Sequence, residues 1–177
     1  QYYRNETGLK VADLGTGSGA ILVGFLYYCR DAVGVGVDIS TEALKIAEEN
    51  GQNLKITDRV EWRQGDYLKA FDEEDIFDGI FSNPPYIPTK DIGGLSREVK
   101  HEPRLALDGG TDGLYFYHLL AKGAAEHLKP GGFLAVEFGI GQATDILEMF
   151  RKSAQYEDFE VIKDYGGIER ALYCRKK

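Results

Sequence analysis

VADLGTGSGA, residues 11–20, is the stretch that decides the fold class of this chain. A short, mostly apolar run (9–15) ends in glycine, and the apolar segment that follows (18–29) is long enough for a buried helix. Glycine has no Cβ, so a ligand can approach the backbone closely where several glycines stand together. The stretch therefore predicts a strand, a glycine turn and a helix, with a nucleotide-like ligand at the turn. Tight packing of the turn without a ligand is the alternative.

The rest of the chain alternates between strands and helices. Strands are predicted over 33–40, 59–66, 75–82 and 133–139, helices over 40–50, 112–129 and 141–152, and a closing hairpin over 159–174. The segment KPGG (129–132) is predicted to end the helix before it. Such alternation indicates an α/β fold: a Rossmann-like, doubly wound, mainly parallel seven-stranded sheet with a C-terminal antiparallel hairpin. The long stretch 86–111 has little periodicity and is expected to be a functional or a disordered loop.

Length and hydropathy patterning limit the class of protein. A chain of 177 residues with 43% hydrophobic and 28% charged residues fits one soluble domain, which we expect to span residues 1–177. No apolar run approaches the roughly 20 residues that cross a bilayer, and no signal-peptide pattern opens the chain. We therefore expect a cytoplasmic protein that does not contact membranes.

Charge and metal-ligand spacing exclude two further kinds of site. The net charge of −8 makes direct nucleic-acid binding unfavourable, because such binding needs Lys and Arg side chains at the phosphates. The histidines His101, His118 and His127 lack metal-ligand spacing, and the two cysteines form no cluster. No metal site is therefore expected.

Four residues at the first two strand ends form the predicted ligand site. Gly15, Gly17 and Gly19 lie between the first strand and its helix, and Asp38 ends the second strand 19 residues beyond Gly19. An acidic residue at this spacing can accept hydrogen bonds from both ribose hydroxyls of a nucleoside. Asp38 by itself could equally cap the helix that follows. Together with the glycine loop it indicates a nucleoside cofactor.

Neighbouring residues favour S-adenosylmethionine, with S-adenosylhomocysteine as its product, over a pyrophosphate cofactor. Asp13 beside the loop suits a ligand with positive charge, such as an amino group or a sulfonium. Asp66 could accept a hydrogen bond from an adenine amino group, and the Tyr67 ring could cover the base. Simple core packing is the alternative for Tyr67. Thr16 and Ser18 either bind the ligand or cap the following helix.

SNPPYIP, residues 82–88, predicts a rigid corner after the fourth strand. That strand is expected beside the first, so the corner would face the glycine loop at the edge where α/β sheets bind ligands. Pro84 and Pro85 have fixed φ angles and no N–H, which leaves carbonyl oxygens as the polar backbone groups. The Asn83 side chain and the Pro84 carbonyl could hold both N–H bonds of a planar NH2 group, while Tyr86 stacks on it.

These four residues, Asn83 to Tyr86, therefore predict a substrate site for methyl transfer to a planar nitrogen, with Asn83, Pro84 and Tyr86 as the catalytic residues. Positioning would carry much of the rate acceleration, and no strong general base is required if the proton leaves late. A proline-rich turn that merely ends the strand is the alternative.

Five segments carry a resemblance to a known family. They are VADLGTGSGAI (11–21), GVDIS (36–40), SNPPYIP (82–88), HEPRLALDGGTDGL (101–114) and LKPGG (128–132). In this order they closely resemble the HemK-type protein-glutamine N-methyltransferases, also called PrmC, which are class I S-adenosylmethionine-dependent methyltransferases. The resemblance covers nearly all of residues 9–175.

The resemblance implies a reaction and a set of contacts. The reaction is methylation of the side-chain amide of the glutamine in the Gly-Gly-Gln tip of peptide chain release factors. The implied cofactor contacts are residues 15–19, Asp38, Tyr67 and Asn83, and the implied substrate contacts are residues 83–86. The family carries a helical recognition domain before its catalytic domain, and we expect this chain to be the catalytic domain without it.

Two other functions remain open at the level of the sequence. An adenine-amino methyltransferase acting on DNA or RNA would share the glycine loop and the proline corner, although the acidic charge opposes it. A dinucleotide oxidoreductase or a non-catalytic nucleoside-binding module would share only the loop. Glu102 and Glu137 could help shape the site, and a structural hydrogen bond is equally expected for each.

Overall fold

One seven-stranded sheet organises the computed structural model, which describes residues 7–96 and 103–177. Its strands are β1 (Lys10–Leu14), β2 (Val33–Asp38), β3 (Val60–Gln64), β4 (Phe77–Ser82), β5 (Leu128–Glu137), β6 (Tyr156–Lys163) and β7 (Glu169–Lys176). They lie in the order β3-β2-β1-β4-β5-β7-β6. The first five strands are parallel, and β7 is antiparallel to both β5 and β6. The predicted fold class and the closing hairpin are confirmed.

Helices cover both faces of this sheet. They are α1 (Ala20–Tyr28), α2 (Thr41–Asn53), α3 (Arg104–Leu107), α4 (Tyr115–Gly123) and α5 (Ala143–Lys152). Successive strand residues point to opposite faces, and the packing follows this rule. Val11 belongs to one buried cluster with Leu22 of α1, whereas Ala12 belongs to a second with Leu120 of α4 and Phe150 of α5. The sheet is therefore doubly wound.

The strand register brings three loops to one edge of the sheet. Leu14, the last residue of β1, pairs with Val37 of β2 on one side and with Ser82 of β4 on the other. Because these strands are parallel, the segments that follow their carboxyl ends emerge side by side. The expected adjacency of the first and fourth strands is confirmed, and it brings the glycine loop next to the proline corner.

Several predicted helix boundaries are wrong by two residues or more, and two of them have a clear physical reason. The helix predicted over 18–29 begins at Ala20, because Gly19 has a φ of +76° that is incompatible with a helical residue. The helix predicted over 112–129 ends at Gly123 and continues only as a 3₁₀ turn, Ala124–His127.

The segment KPGG does not end that helix but lies inside β5, which already pairs with Phe77 at Leu128. The register between β4 and β5 shifts directly after this pair. Proline and glycine fit in a strand at such an irregularity, because the ladder is interrupted there.

The stretch 86–111 has more structure than its sequence predicts. It contains a 3₁₀ segment, Thr89–Gly94, and the short helix α3, and Ile87 forms a parallel bridge with Asp108. Residues 97–102, which include Glu102, lie outside the described part of the chain. Within residues 7–96 and 103–177, no helix has both the length and the apolarity required to cross a bilayer.

Candidate functional site

The glycine loop between β1 and α1 follows a left-handed path. Gly15, Gly17 and Gly19 have φ angles of +70°, +56° and +76°, which side chains with a Cβ rarely adopt. The N–H groups of Gly15 and Thr16 both donate to the carbonyl of Val37, at 2.9 Å each. The loop is thus folded back onto the end of β2.

The Asp38 carboxylate joins this loop to the start of α2. It accepts hydrogen bonds from the N–H of Gly17 at 2.8 Å and from the N–H of Ser40 at 2.9 Å. The cap of α2 is Ser40, whose Oγ accepts from the N–H of Ala43 at 3.2 Å, as the sequence predicts. Capping by Asp38 itself is therefore excluded. A carboxylate has about four acceptor positions, so Asp38 retains acceptor capacity for a ligand.

Asp13 is a buried carboxylate with one oxygen that forms no hydrogen bond of good geometry with the described residues. Its side chain is 1% exposed, and its Oδ2 accepts a hydrogen bond of 2.7 Å from Thr16 Oγ1. Its Oδ1 is buried and has no hydrogen-bond partner among the described residues. Burial raises the pKa of Asp13 from 3.8 to about 6, hydrogen bonding by Thr16 and by the N–H of Leu22 opposes that rise, and the nearby Asp38 charge adds to it.

Thr16 and Ser18 do not cap α1. The N-cap of that helix is Gly19, and no side chain donates or accepts at it. Thr16 is instead the partner of Asp13, whereas Ser18 is exposed and its carbonyl accepts from Asn50 Nδ2 at 2.9 Å. The capping alternative is wrong for both residues, and ligand contact by either of them stays a prediction.

Tyr67 approaches the glycine loop from the side of α4. Its ring stacks on Phe116 with 4.5 Å between centroids, and a Cβ on Gly15 would lie 2.7 Å from its hydroxyl. The hydroxyl is buried and has no hydrogen bond of good geometry among the described residues; burial raises its pKa, while the nearby Ser82 hydroxyl opposes the rise. Its φ of +51° is strained for a bulky residue. Phe116, which no sequence pattern identified, therefore occupies one face of the ring.

Asp66 lies beside Tyr67 but points outward. It is exposed and forms an ion pair with Lys69, three residues further along a 3₁₀ turn. Contact between Asp66 and an adenine amino group stays a prediction.

The corner Asn83–Tyr86 begins where β4 ends. Ser82, its neighbour, donates from Oγ to the Leu14 carbonyl at 2.8 Å, which ties the start of the corner to the start of the glycine loop. Asn83 is exposed, Pro84 is buried, and Pro85 and Tyr86 are half-buried. The Asn83 residue is thus accessible to a substrate from solvent, while the neighbouring Pro84 is packed inside the protein.

Close backbone packing holds the far side of this corner. A Cβ on Gly139 would lie 2.9 Å from Tyr86 Cδ2, and one on Gly109 would lie 2.8 Å from the Pro85 carbonyl oxygen. Any side chain at either position would displace the corner, so glycine is required by contact and not by φ. The segment DGGTDG (108–113) therefore has a structural role as the support of the corner.

Hydrogen bonds continue this support beyond Tyr86. The N–H of Ile87 donates to the Leu107 carbonyl at 3.1 Å, and the N–H of Gly109 donates to the Ile87 carbonyl at 2.9 Å. Thr89 Oγ1 donates to Asp108 Oδ1 at 2.6 Å. This bond, with a second from a backbone N–H, lowers the pKa of Asp108. The corner and the segment before α4 thus form one hydrogen-bonded unit.

Gln142, one residue before α5, contacts the corner although sequence reasoning did not identify it. Its Nε2 donates to the Tyr86 carbonyl at 3.1 Å and to the Gly113 carbonyl at 3.2 Å. Its Oε1 accepts from the N–H of Gly139 at 2.9 Å. A lone glutamine before a helix carries no sequence signal of such a role.

Glu137 ends β5 next to the corner, because the preceding residue, Val136, pairs with Ser82. Its carboxylate is half-buried, and burial raises its pKa while the Arg170 charge opposes the rise. Its backbone carbonyl accepts a hydrogen bond of 2.8 Å from the buried Tyr117 hydroxyl. A part for Glu137 in shaping the site stays a prediction.

Known proteins resemble this chain in sequence. It is 42% identical over 167 residues to the release factor glutamine methyltransferase of Moorella thermoacetica, a match that covers 94% of this chain and 59% of that protein. It is 46% identical over 168 residues to the protein of the same name from Bradyrhizobium diazoefficiens, covering 94% of this chain and 56% of that protein. The chain thus spans less than two thirds of the length of these relatives.

Solved structures and a family model agree with the fold. A methyltransferase from Pyrococcus furiosus matches with a TM-score of 0.71 and 23% identity over 97% of this chain and 76% of that one. An RNA methyltransferase from Salinibacter ruber, solved with S-adenosyl-L-homocysteine, matches with a TM-score of 0.57 and 19% identity over 95% of this chain and 80% of that one. A family model described as a methyltransferase domain matches residues 5–137, from before the glycine loop to the end of β5. This chain therefore belongs to the methyltransferase domain family.

Proposed function

We propose that this chain transfers a methyl group from S-adenosylmethionine to the side-chain amide of a glutamine, and that the glutamine belongs to the Gly-Gly-Gln tip of a peptide chain release factor. The observation that carries the proposal is the pairing of Leu14 with Ser82, which sets the glycine loop and the Asn83–Tyr86 corner side by side. The names of relatives above 40% identity support the choice of substrate.

Two buried polar atoms beside the glycine loop favour a bound ligand there. Asp13 Oδ1 and the Tyr67 hydroxyl are buried beside the loop without partners among the described residues. Buried polar groups almost always have a partner, so two together favour a ligand that supplies the missing hydrogen bonds. Asp13 would bind the cationic group of the ligand and Asp38 its hydroxyl groups. A Cβ at Gly17 would have no heavy atom within 4 Å, so the space beside this residue is open. When bound, S-adenosylmethionine supplies an electrophilic methyl group on a sulfonium.

The corner would bind and orient the amide. An amide nitrogen is a poor nucleophile because its lone pair is delocalised into the carbonyl, as the barrier of about 18–20 kcal/mol to rotation indicates. The Asn83 side chain and the Pro84 carbonyl would each accept a hydrogen bond from one N–H of the substrate amide and hold that amide in one orientation. Both acceptors also stabilise positive charge that develops on the nitrogen as the new N–C bond forms.

The corner also determines what happens to the proton. One N–H proton must leave for each methyl group that arrives, and it would remain hydrogen-bonded to Asn83 or Pro84 until the N–C bond has formed. After that step the nitrogen is acidic, so water suffices as the final acceptor. Tyr86 would keep the amide plane fixed, and the buried Pro84 would hold the corner in place.

An adenine amino group is the alternative acceptor, since it too is a planar NH2. The net charge of −8 opposes it, because the 29 Asp and Glu residues outnumber the 21 Lys and Arg residues that could contact phosphates. A release factor is a translation protein, so the proposed location is the cytoplasm. Residues 1–177 are proposed to act as the catalytic domain.

The test is transfer of a labelled methyl group. The chain is incubated with labelled S-adenosylmethionine and a purified bacterial release factor, and the product is mapped by mass spectrometry. We expect one methyl group on the tip glutamine and none on a release factor with alanine at that position. Label on DNA or RNA instead, lost as salt is raised, would establish the alternative; label on neither would refute the proposal.

A further inference from the structure

We propose that Gln142 is a positioning residue for the substrate: its side-chain amide holds the Tyr86 end of the corner in the orientation that the reaction needs. This inference rests on the proposed function of the corner. Gln142 touches none of the atoms proposed to react, and it would act only through Tyr86.

The Gln142 amide uses all of its hydrogen-bonding groups on three different loops. Its Nε2 donates hydrogen bonds to the carbonyls of Tyr86, after β4, and Gly113, before α4. Its Oε1 accepts a hydrogen bond from the N–H of Gly139, after β5. Fifty-six residues separate Gln142 from Tyr86. The partners also determine which way the amide faces, because two carbonyls require the nitrogen and one N–H requires the oxygen.

Tyr86 is the position in the corner where such a restraint matters most. Pro84 and Pro85 have φ angles limited by their rings, whereas Tyr86 has no such limit. Gln142 holds its carbonyl directly. Gly139, whose N–H the same amide binds, packs against the edge of the Tyr86 ring. The Gln142 side chain therefore restrains both the main chain of Tyr86 and the Gly139 backbone beside the Tyr86 ring.

The cofactor half of the site is held by other contacts. The glycine loop depends on the Val37 carbonyl and the Asp38 carboxylate. All side-chain hydrogen bonds of Gln142 within the described residues go to Tyr86, Gly113 and Gly139. Loss of this amide should therefore affect substrate turnover and leave cofactor affinity unchanged.

The variant that tests this is Gln142→Met, and Gln155→Met is its matched control. Gln155 is another half-buried glutamine, and its Nε2 donates to two carbonyls at the end of α4, those of Ala121 at 3.3 Å and Lys122 at 3.1 Å. Misplacement of a reacting group by about 1 Å can cost a factor of about 100. We expect Gln142→Met to lower kcat/KM for the release factor about 10- to 100-fold.

Three measurements separate positioning from general stability. The Kd of S-adenosylmethionine for Gln142→Met should stay within about twofold of wild type, by calorimetry. Gln155→Met should lose a similar amount of thermal stability but keep kcat/KM within about twofold. An equal loss of kcat/KM in both variants would overturn the inference, and so would unchanged kcat/KM in Gln142→Met.

The charged variant Gln142→Glu adds a pH signature. An ionised glutamate would present only acceptors to the Tyr86 and Gly113 carbonyls, whereas a protonated one can donate one hydrogen bond. The activity of Gln142→Glu relative to wild type should therefore rise as pH falls, while that of Gln142→Met should stay flat. Two parallel profiles would count against the inference.

Amide hydrogen exchange tests the hydrogen bonds of Gln142 to Tyr86 and Gly139 without an activity assay. The Gly139 N–H should exchange faster in Gln142→Met than in wild type or Gln155→Met. Unchanged exchange at Gly139 overturns the inference whatever the activity. If Gly139 exchanges faster in Gln142→Met but the wild-type chain methylates no release factor, the proposed function is refuted and the restraint of the corner by Gln142 is not.

Discussion

Asp38 accepts a hydrogen bond of 2.8 Å from the main-chain N–H of Gly17, although 21 residues separate the two in sequence. The bond connects the end of β2 to the middle of the glycine loop that follows β1. It holds the loop in a left-handed path that it would otherwise leave at little cost, because glycine has many accessible conformations. The same carboxylate is proposed to bind the ribose of the cofactor, which would give it a binding role besides its structural one.

Asp38→Ala should therefore weaken binding of S-adenosylmethionine. It removes both the ligand acceptor and the restraint on Gly17, and a hydrogen bond to a charged group contributes about 1.5–3 kcal/mol. We expect Kd to rise at least about 10-fold by isothermal calorimetry. Asp31→Ala, at an exposed aspartate, is the control and should leave Kd unchanged. Equal affinity of the Asp38 variant and wild type would contradict the assignment.

Asn83→Ala should remove nearly all turnover and preserve the fold. Asn83 is exposed, so its truncation should change the free energy of unfolding by no more than about 0.5 kcal/mol. Loss of one acceptor aimed at developing charge should lower kcat about 100- to 1,000-fold. Steady-state methylation of a release factor measures this, with Asn53→Ala, an exposed asparagine in α2, as the control. Wild-type turnover by the Asn83 variant would remove this residue from the proposed mechanism.

Asp13 should make stability depend on pH in an unusual direction. Its folded pKa of about 6 lies above the unfolded value of 3.8, so the folded state binds the proton more tightly. The stabilisation is complete below about pH 4 and is lost as pH rises through 6. A shift of this size corresponds to about 3 kcal/mol, at about 1.4 kcal/mol per pKa unit.

Asp13→Asn, which cannot ionise, is the variant that reveals this dependence. The unfolding free energy of the variant minus that of wild type should increase as pH rises from 4 to 8, because only wild type must ionise a buried carboxyl. Urea denaturation at several pH values measures it, and Asp31→Asn serves as the exposed control. A difference that does not change between pH 4 and pH 8 would contradict the raised pKa.

Gly15→Ala and Gly17→Ala form a matched pair, because both positions have left-handed φ angles but different surroundings. A Cβ at Gly15 would lie 2.7 Å from the Tyr67 hydroxyl, whereas one at Gly17 would have no heavy atom within 4 Å. Gly17→Ala should cost about 1–2 kcal/mol for its backbone conformation. Gly15→Ala should cost a further 1–3 kcal/mol or so for the clash.

Chemical denaturation compares these two variants, and Tyr67→Phe tests the cause. Phenylalanine lacks the hydroxyl that the new Cβ would meet, so combining Tyr67→Phe with Gly15→Ala should recover part of the lost stability. The same change should not improve Gly17→Ala. Equal costs for the two glycine variants would show that Tyr67 does not contact the loop as the structure has it.

The sequence predicts the turns at the edge of the sheet after β1, β2 and β4 well because its signals there are local. Three glycines specify a left-handed turn, two adjacent prolines specify a stiff corner, and Ser40 specifies the cap of α2. The doubly wound fold and the adjacency of β1 and β4 are also predicted from the alternation of strands with helices, whereas the full strand order comes from the structure.

Helix ends and the start of β5 were predicted less well. The apolar pattern over 112–129 is compatible with one long helix, but pairing of Leu128 with Phe77 takes the last residues into the sheet. Backbone hydrogen bonds in the sheet override a helical pattern when both are available to the same residues. Sequence spacing alone does not reveal this competition.

By itself, then, the sequence determined the elements of this protein, their order, and the turn and corner residues, because each depends on φ preferences and apolar spacing within a few neighbours. Only the tertiary structure decided that Asp13 is buried beside the glycine loop, that Tyr67 lies on Phe116 against Gly15, and that Gln142 donates a hydrogen bond to the Tyr86 carbonyl. These features join residues far apart in the chain, and their energies come from burial and hydrogen bonding that arise only once the sheet has assembled.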